Sequence, residues 1–142
     1  MTTAYMPVSK TDDWATPQYL FDEWDAKYGF DLDAAASQSN HKCENWFGLD
    51  HPELSRRDGL AQDWAAKAVW VNPPYGRVLN EWVGHASKQS NPVVMLLPAR
   101  TDTRWFHSYC LNQRITFIKG RVKFGGSSFG APFPSMIVEF HA

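Results

Sequence analysis

The chain lacks any apolar run near the roughly 20 residues that a membrane-spanning helix needs, which excludes a span as its organising feature. It also lacks an excess of charge of either sign. Its 14 Lys and Arg stand against 15 Asp and Glu, a formal net charge of −1, so no global field draws in a polyanion and any contact with nucleic acid has to be local. Cysteine is scarce: Cys43 and Cys110 lie far apart with no CxxC, which excludes a disulfide framework and a zinc knuckle. His41, Cys43 and His51 match no familiar ligand spacing, so no metal site is expected. Repeats and low-complexity linkers are missing, and the opening MTTAYMPVSK holds no apolar signal core, so the expected compartment is the cytoplasm. At 142 residues there is room for one core and none for a second module. The expected organisation is a flexible arm over residues 1–11 and a single domain over 12–142.

Aromatic residues are what the chain has in excess: 15% of the total, with seven tryptophans. Large rings dominate burial energetics, and they can also stack on bases. Along the chain, Thr16-Pro17 predicts a helix start with a hydroxyl cap and proline at the first helical position, with Asp22 and Glu23 favouring its early turns and Gly29 closing it. Phe30–Asp33 reads as a short strand, followed by Ala34-Ala35-Ala36, small enough for something to approach the backbone closely. Asn45-Trp46-Phe47 is a candidate strand, and 52–62 a loop or a turn of helix. Ala68–Val71 predicts a strand, and Val78, Leu79, Trp82, Val83 and Ala86 mark an amphipathic helix. PVVMLL, residues 92–97, has the continuous apolar character of a strand covered on both faces. Trp105, Phe106, Tyr109 and Cys110 suit another helix. Ile115–Ile118 and Met136–Phe140 predict strands around a Gly/Ser/Pro loop. Helices alternating with strands, then two final strands, predict a three-layer α/β fold with a mostly parallel sheet.

The strand VWV runs into Asn72-Pro73-Pro74-Tyr75. Adjacent prolines remove two backbone donors and fix two φ angles, so the strand must stop at Asn72. In such folds the carboxyl ends of strands deliver side chains to the ligand crevice. The Asn72 side-chain oxygen and the Pro73 carbonyl suit the two hydrogens of an amino group, and Tyr75 suits stacking on a heterocycle. On residue physics alone a simple strand-ending turn explains NPPY as well.

NPPY resembles the catalytic motif of amino-methyltransferases that use S-adenosylmethionine. The chain from Asp12 to Phe140 is similar to the small phage and prophage DNA N6-adenine methyltransferases of the Dam type. The likeness rests on the ordered combination of DDWATPQYLFD, FDLDAAAS, LAQDW, VWVNPPYG, VMLLPARTDTRWFH, IKGRVKFGG and APFPSMIVEF. It implies a compact Rossmann-like methyltransferase fold with an antiparallel C-terminal strand and no separate target-recognition domain. It implies S-adenosylmethionine as cofactor, double-stranded DNA as partner and a bacterial host's cytoplasm as the place of action; it sets no oligomeric state. Asn72, Pro73, Pro74 and Tyr75 would carry catalysis, by direct in-line transfer to an adenine flipped out of the duplex.

The resemblance further implies that Trp14, Thr16 and Pro17 border the methionine end of the cofactor, that Asp33, Ala34 and Asn72 lie beside it, and that Asp63 meets its adenine. The glycine-rich turn usual after the first strand is replaced here by DAAAS. From Arg100 onward six basic residues face two acidic ones, so Arg100, Arg104, Lys119, Arg121 and Lys123 are candidates for DNA phosphates. For each of them a solvated face is an equal reading. Phe124 is a candidate wall of the base pocket or a core residue, and Phe129, in GGSSFG, is placed to fill the gap left by a flipped base. Cytosine-N4 methylation, protein-glutamine methylation and a catalytically silent DNA-binding module stand as alternatives. Serine at position 72 would favour the first, a glycine-rich cofactor turn the second, and failure to bind S-adenosylmethionine the third.

Overall fold

The computed structural model describes residues 14–142. The expected N-terminal arm lies outside the described residues, as do Asp12 and Asp13. The described elements are helix α1 (Gln18–Tyr28), strand β1 (Leu32–Asp33), strand β2 (Val69–Val71), helix α2 (Leu79–Ser87), and strands β3 (Val93–Pro98), β4 (Arg114–Phe117) and β5 (Ser135–Phe140). The five strands form one sheet in the order β1-β2-β3-β5-β4. β1, β2 and β3 pair in parallel, while β5 runs antiparallel to both β3 and β4. Four strands therefore share one direction and β5 alone is reversed, inserted between β3 and β4. This is the mixed α/β, mostly parallel sheet expected from the alternation of elements.

The two faces of the sheet are buried by different partners, and the side-chain period of two along each strand sorts the residues between them. Val93, Met95 and Leu97 of β3 join Met136, Val138 and Phe140 of β5 against Leu79, Val83 and Ala86 of α2. Val94, Leu96 and Ile137 point the other way and join Trp70 with Leu20 and Phe21 of α1, and with Val122, Phe124 and Phe133 of the last loop. All six residues of β3 are buried, as a strand covered on both faces requires. Among the described residues no helix is long and apolar enough to cross a membrane.

Local corrections have local reasons. Helix α1 begins one residue later than its sequence suggests: Pro17, with ψ 136°, is the capping residue, and no side chain caps the end. The Pro17 carbonyl accepts the Leu20 and Phe21 N–H groups at 3.1 and 3.2 Å, so Thr16 is displaced from the cap. The first turn holds no acidic residue, Asp22 and Glu23 lying just beyond it, whereas Gly29 closes the helix at φ 63° as expected. The first strand is confined to Leu32 and Asp33. Asn45–Phe47 does not form a strand; it lies along β1 through a single parallel bridge between Asp33 and Trp46. The helix expected around Trp105–Cys110 is one wide turn, Phe106–Cys110, with i→i+5 bonding.

The crossover from β1 to β2 carries no α-helix, only short 3₁₀ turns at Leu54–Arg56 and Gly59–Ala61. Backbone contact replaces helix packing here. A Cβ on Gly48 would sit 1.9 Å from the Ala36 carbonyl oxygen, and one on Gly59 2.5 Å from that of Ala34. The small Ala34–Ala36 stretch is thus approached by the chain's own glycines.

Candidate active site

The carboxyl ends of β1 and β2 open into a cleft of about 640 Å³, walled by residues 14–16, by parts of the segments 33–60 and 70–82, and by Phe124. β2 is wholly buried and ends at Val71. The two prolines then turn the chain outward, and Asn72 is left half-buried at the cleft with its Nδ2 donating to the Trp14 carbonyl at 2.9 Å. An amide tied through its nitrogen presents its oxygen as the remaining acceptor. The adjoining Pro73 carbonyl accepts no hydrogen bond among the described residues. Two acceptors therefore stand side by side at the end of one strand.

Tyr75 is fixed differently. Its hydroxyl donates to the Leu96 carbonyl at 3.0 Å, and its ring meets Phe133 and Phe124 edge-on, with centroids 5.5 and 6.3 Å apart. Burial pushes its ionisation well above the usual phenol range, outweighing the nearby Arg100 charge. The residue offers the cleft a neutral aromatic wall. Phe124 is both buried and part of that wall, and it packs on Trp14 at 5.6 Å, so the core and pocket readings of Phe124 are satisfied together.

Asp33, 3% exposed, also lines the cleft. Among the described residues its carboxylate accepts two backbone amides, Lys42 at 2.9 Å and Ala35 at 3.4 Å. Burial outweighs them and pushes its pKa up to about 7.

Of the residues singled out from sequence, the cleft brings together Trp14, Thr16, Asp33, Asn72, Pro73, Pro74, Tyr75 and Phe124. Ala34 is fully buried beneath it, and Ala35 and Ala36 line it instead. Pro17 borders an adjoining cavity of about 530 Å³ that also touches Thr16, Lys123, Gly125 and Gly126. Asp63 is exposed and outside the lining, whereas Asp58 belongs to it. The Asp58 carboxylate accepts the Leu60 N–H at the start of a 3₁₀ turn, and that turn carries it to the cleft.

Residues 3–135 match the family model described as DNA N-6-adenine-methyltransferase (Dam). The chain belongs to the Dam family. A DNA N-6-adenine-methyltransferase of Escherichia phage T1 is 38% identical over 104 residues, covering 70% of this chain and 41% of that protein. One of Haemophilus phage HP1 is 33% identical over 155 residues, covering 99% of this chain and 84% of that protein. The chain thus spans about two-fifths of the length of the first relative and over four-fifths of the second.

Sequence reasoning missed the cations on the cleft of this Dam-family chain, Lys42 and Arg57. Lys42 Nζ donates to Gln18 at 2.9 Å, and Arg57 Nε donates to the His51 carbonyl at 2.6 Å. No motif marks either one, because both arrive on the irregular crossover. His41 and His51 pack on Trp46, at 4.9 and 4.3 Å between ring centroids. None of the expected DNA-facing cations lines the cleft, and Lys123 borders the adjoining cavity. Arg104, Lys119, Arg121 and Lys123 are exposed, with Arg121 donating to the Ala131 carbonyl at 3.2 Å, and Arg100 is half-buried, 5.9 Å from the Phe133 ring. Phe129 is 80% exposed.

Proposed function

We propose that the chain transfers a methyl group from S-adenosylmethionine to N6 of adenine in DNA, within a Rossmann-like methyltransferase fold and in the cytoplasm of the bacterial host. The observation that carries this reading is the pair of acceptors at Asn72 and Pro73, without donors among the described residues, beside the aromatic wall of Tyr75 and Phe124. Membership of the Dam family supports the same reaction.

The cleft suits the cofactor. Asp33 is a buried carboxylate served by backbone amides alone, and so favours a cationic neighbour. Phe47, Leu60 and Trp82 give an apolar wall for an adenine ring, with Asp58 on the same side as an acceptor for its amino group. When bound, S-adenosylmethionine supplies an electrophilic methyl carbon on a sulfonium.

The chain's own residues do the rest. An exocyclic amine is a poor nucleophile because its lone pair is delocalised into the ring. Asn72 Oδ1 and the Pro73 carbonyl accept its two hydrogens, turning the remaining lone pair out of the ring plane, while Tyr75 holds the heterocycle by stacking worth roughly 1–3 kcal/mol. Orientation of this kind is where most of the acceleration arises. A paired adenine cannot reach the cleft, so the base is flipped out at a cost of a few kcal/mol. Arg100, Arg104, Lys119, Arg121 and Lys123 are the proposed phosphate contacts, and Phe129 the proposed filler of the vacated stack.

Incubating the protein with labelled S-adenosylmethionine and duplex DNA, then identifying the modified base, tests the reading. N6-methyladenine is expected. N4-methylcytosine, or no methylated base at all, would overturn it. Asn72→Ala should lower transfer by roughly a hundredfold or more, the scale seen on losing one transition-state hydrogen-bonding group, and circular dichroism should show the fold retained.

A further inference from the structure

We propose that Trp14 is a positioning residue for methyl transfer: its main-chain carbonyl fixes the orientation of the Asn72 amide and so makes position 72 demand an amide rather than a carboxylate. This rests on the reading of NPPY as the amine-binding motif.

A side-chain amide can sit either way round, and only one way presents its oxygen to an incoming amino group. The Trp14 carbonyl, 2.9 Å from Nδ2, selects that way, since the reverse would set oxygen against oxygen. The carbonyl is itself held in place. The Gly125 N–H donates to the Ala15 carbonyl at 2.9 Å, and the Trp14 ring packs on Phe124, which in turn packs on Tyr75. The indole Nε1–H is buried without a partner among the described residues, where packing and this neighbouring backbone bond hold the residue. A segment 58 residues away in sequence thereby orients the acceptor.

A carboxylate at position 72 has two acceptors and no donor. As a bare hydrogen-bond acceptor for the substrate it would serve at least as well as the amide. Against the Trp14 carbonyl, however, it would be repelled and lose its orientation. Only the protonated carboxyl restores the pattern, with its O–H donated to Trp14 and its C=O turned to the amine. The two roles therefore make opposite statements about Asn72→Asp. If position 72 needs only an acceptor, the variant is as active as wild type at alkaline pH. If Trp14 sets the orientation, the variant works only while protonated.

The titratable groups lining the same cleft are Asp33 at the end of β1, Lys42 and Asp50 on the following loop, Arg57 and Asp58 on the crossover, and Tyr75, whose hydroxyl is engaged by Leu96. Asp33 titrates near neutrality in the wild type. Its contribution is removed by taking the ratio of variant to wild-type rate at each pH.

The test is single-turnover methyl transfer by the full chain, with S-adenosylmethionine and duplex DNA, for wild type and Asn72→Asp across acid to alkaline pH. The ratio should approach wild type at the acid end and fall about tenfold per pH unit above the introduced carboxyl's pKa. A flat ratio, or a fully active variant at alkaline pH, would overturn the proposal. Should the variant not fold, the wild type still answers: the Asn72 Nδ2 protons should show slowed exchange and a through-hydrogen-bond coupling to the Trp14 carbonyl carbon, and fast exchange of both would refute it. A wild type that methylates no DNA defeats the functional reading, while the Asn72 amide still tests the orientation.

Discussion

Asp33 and Glu139 are both almost fully buried acids on the α1 face of the sheet, 3% and 2% exposed, yet their carboxyls are pushed in opposite directions. At the α1–β5 seam, Glu139 accepts a hydrogen bond from Lys27 Nζ at 2.8 Å and another from the Tyr28 hydroxyl. Burial opposes its ionisation, but these two donors outweigh burial and hold it below the usual carboxylate range. At the cleft, Asp33 has only the amides of Lys42 and Ala35, and burial wins. The difference separates a contact completed within the chain from a buried acid with room for a further partner, as the proposed cofactor role requires. An acid already neutralised by its own chain has nothing left for a ligand, whereas Asp33 gains from any cation that enters the cleft.

The largest expected effect comes from breaking the completed contact. Glu139→Ala strands the Tyr28 hydroxyl and the Lys27 ammonium and should cost about 3 kcal/mol in denaturant unfolding. Methyl transfer per folded molecule should stay at the wild-type level; a stability loss below a few tenths of that would show that the seam is not held by this acid. Lys27 is about half exposed but its partner is not, so Lys27→Met leaves the buried Glu139 carboxylate with the Tyr28 hydroxyl as its remaining side-chain donor among the described residues and should cost about 2 kcal/mol.

Replacing the acid with room for a further partner should do the reverse. Asp33 has a folded-state pKa of about 7, above the roughly 4 of an unfolded aspartate. The folded chain holds that proton longer, so the stability it contributes is full below the unfolded value and is lost as pH rises through the folded one. Glu139 has the opposite sign, its contribution being present above the ordinary carboxylate range and lost as pH falls. Asp33→Asn cannot ionise, and should therefore flatten the decline in Tm that Asp33 contributes between about pH 4 and about pH 7. The same substitution should weaken S-adenosylmethionine binding by roughly tenfold, the worth of one hydrogen bond to a charged group. Calorimetry showing unchanged affinity would move the cofactor away from β1.

How much of this was legible in the sequence follows from the range of the interactions involved. Residues 72–75 were legible because two prolines act on their own backbone, and β3 because a fully apolar run needs cover on both faces. The β1–β2 crossover was not. Its path is set by Gly48 and Gly59 meeting the backbone of Ala36 and Ala34, and nothing local distinguishes Asp58, which lines the cleft, from Asp63, which does not. The partnership of Glu139 with Lys27 and Tyr28 spans more than a hundred residues and left no periodic trace. Likewise, NPPY pointed to an acceptor at Asn72, but the Trp14 carbonyl that orients it belongs to the tertiary structure alone.

The smallest effect is expected where charge is neither buried nor fully paired. Arg121 and Lys123 are exposed beside the Gly125–Gly130 loop, and only Arg121 has a side-chain bond to the described chain, to the Ala131 carbonyl. Lacking the burial that separates Asp33 from Glu139, they should change stability by no more than about 0.5 kcal/mol when replaced. Their effect should lie in the salt dependence of DNA binding. With a net charge of −1 the protein has no global field to attract DNA, so the proposed DNA binding would depend on local phosphate contacts. Each contact should add roughly 0.9 to the slope of log affinity against log salt. The Arg121→Ala, Lys123→Ala double variant should therefore flatten that slope by about two units and weaken binding evenly across sequences. Lys123→Ala alone should account for about half of the change, because its ammonium has no other partner among the described residues. An unchanged slope in a variant that still methylates DNA would place the phosphate surface elsewhere, with Arg100 and Arg104 at the end of β3 the next candidates.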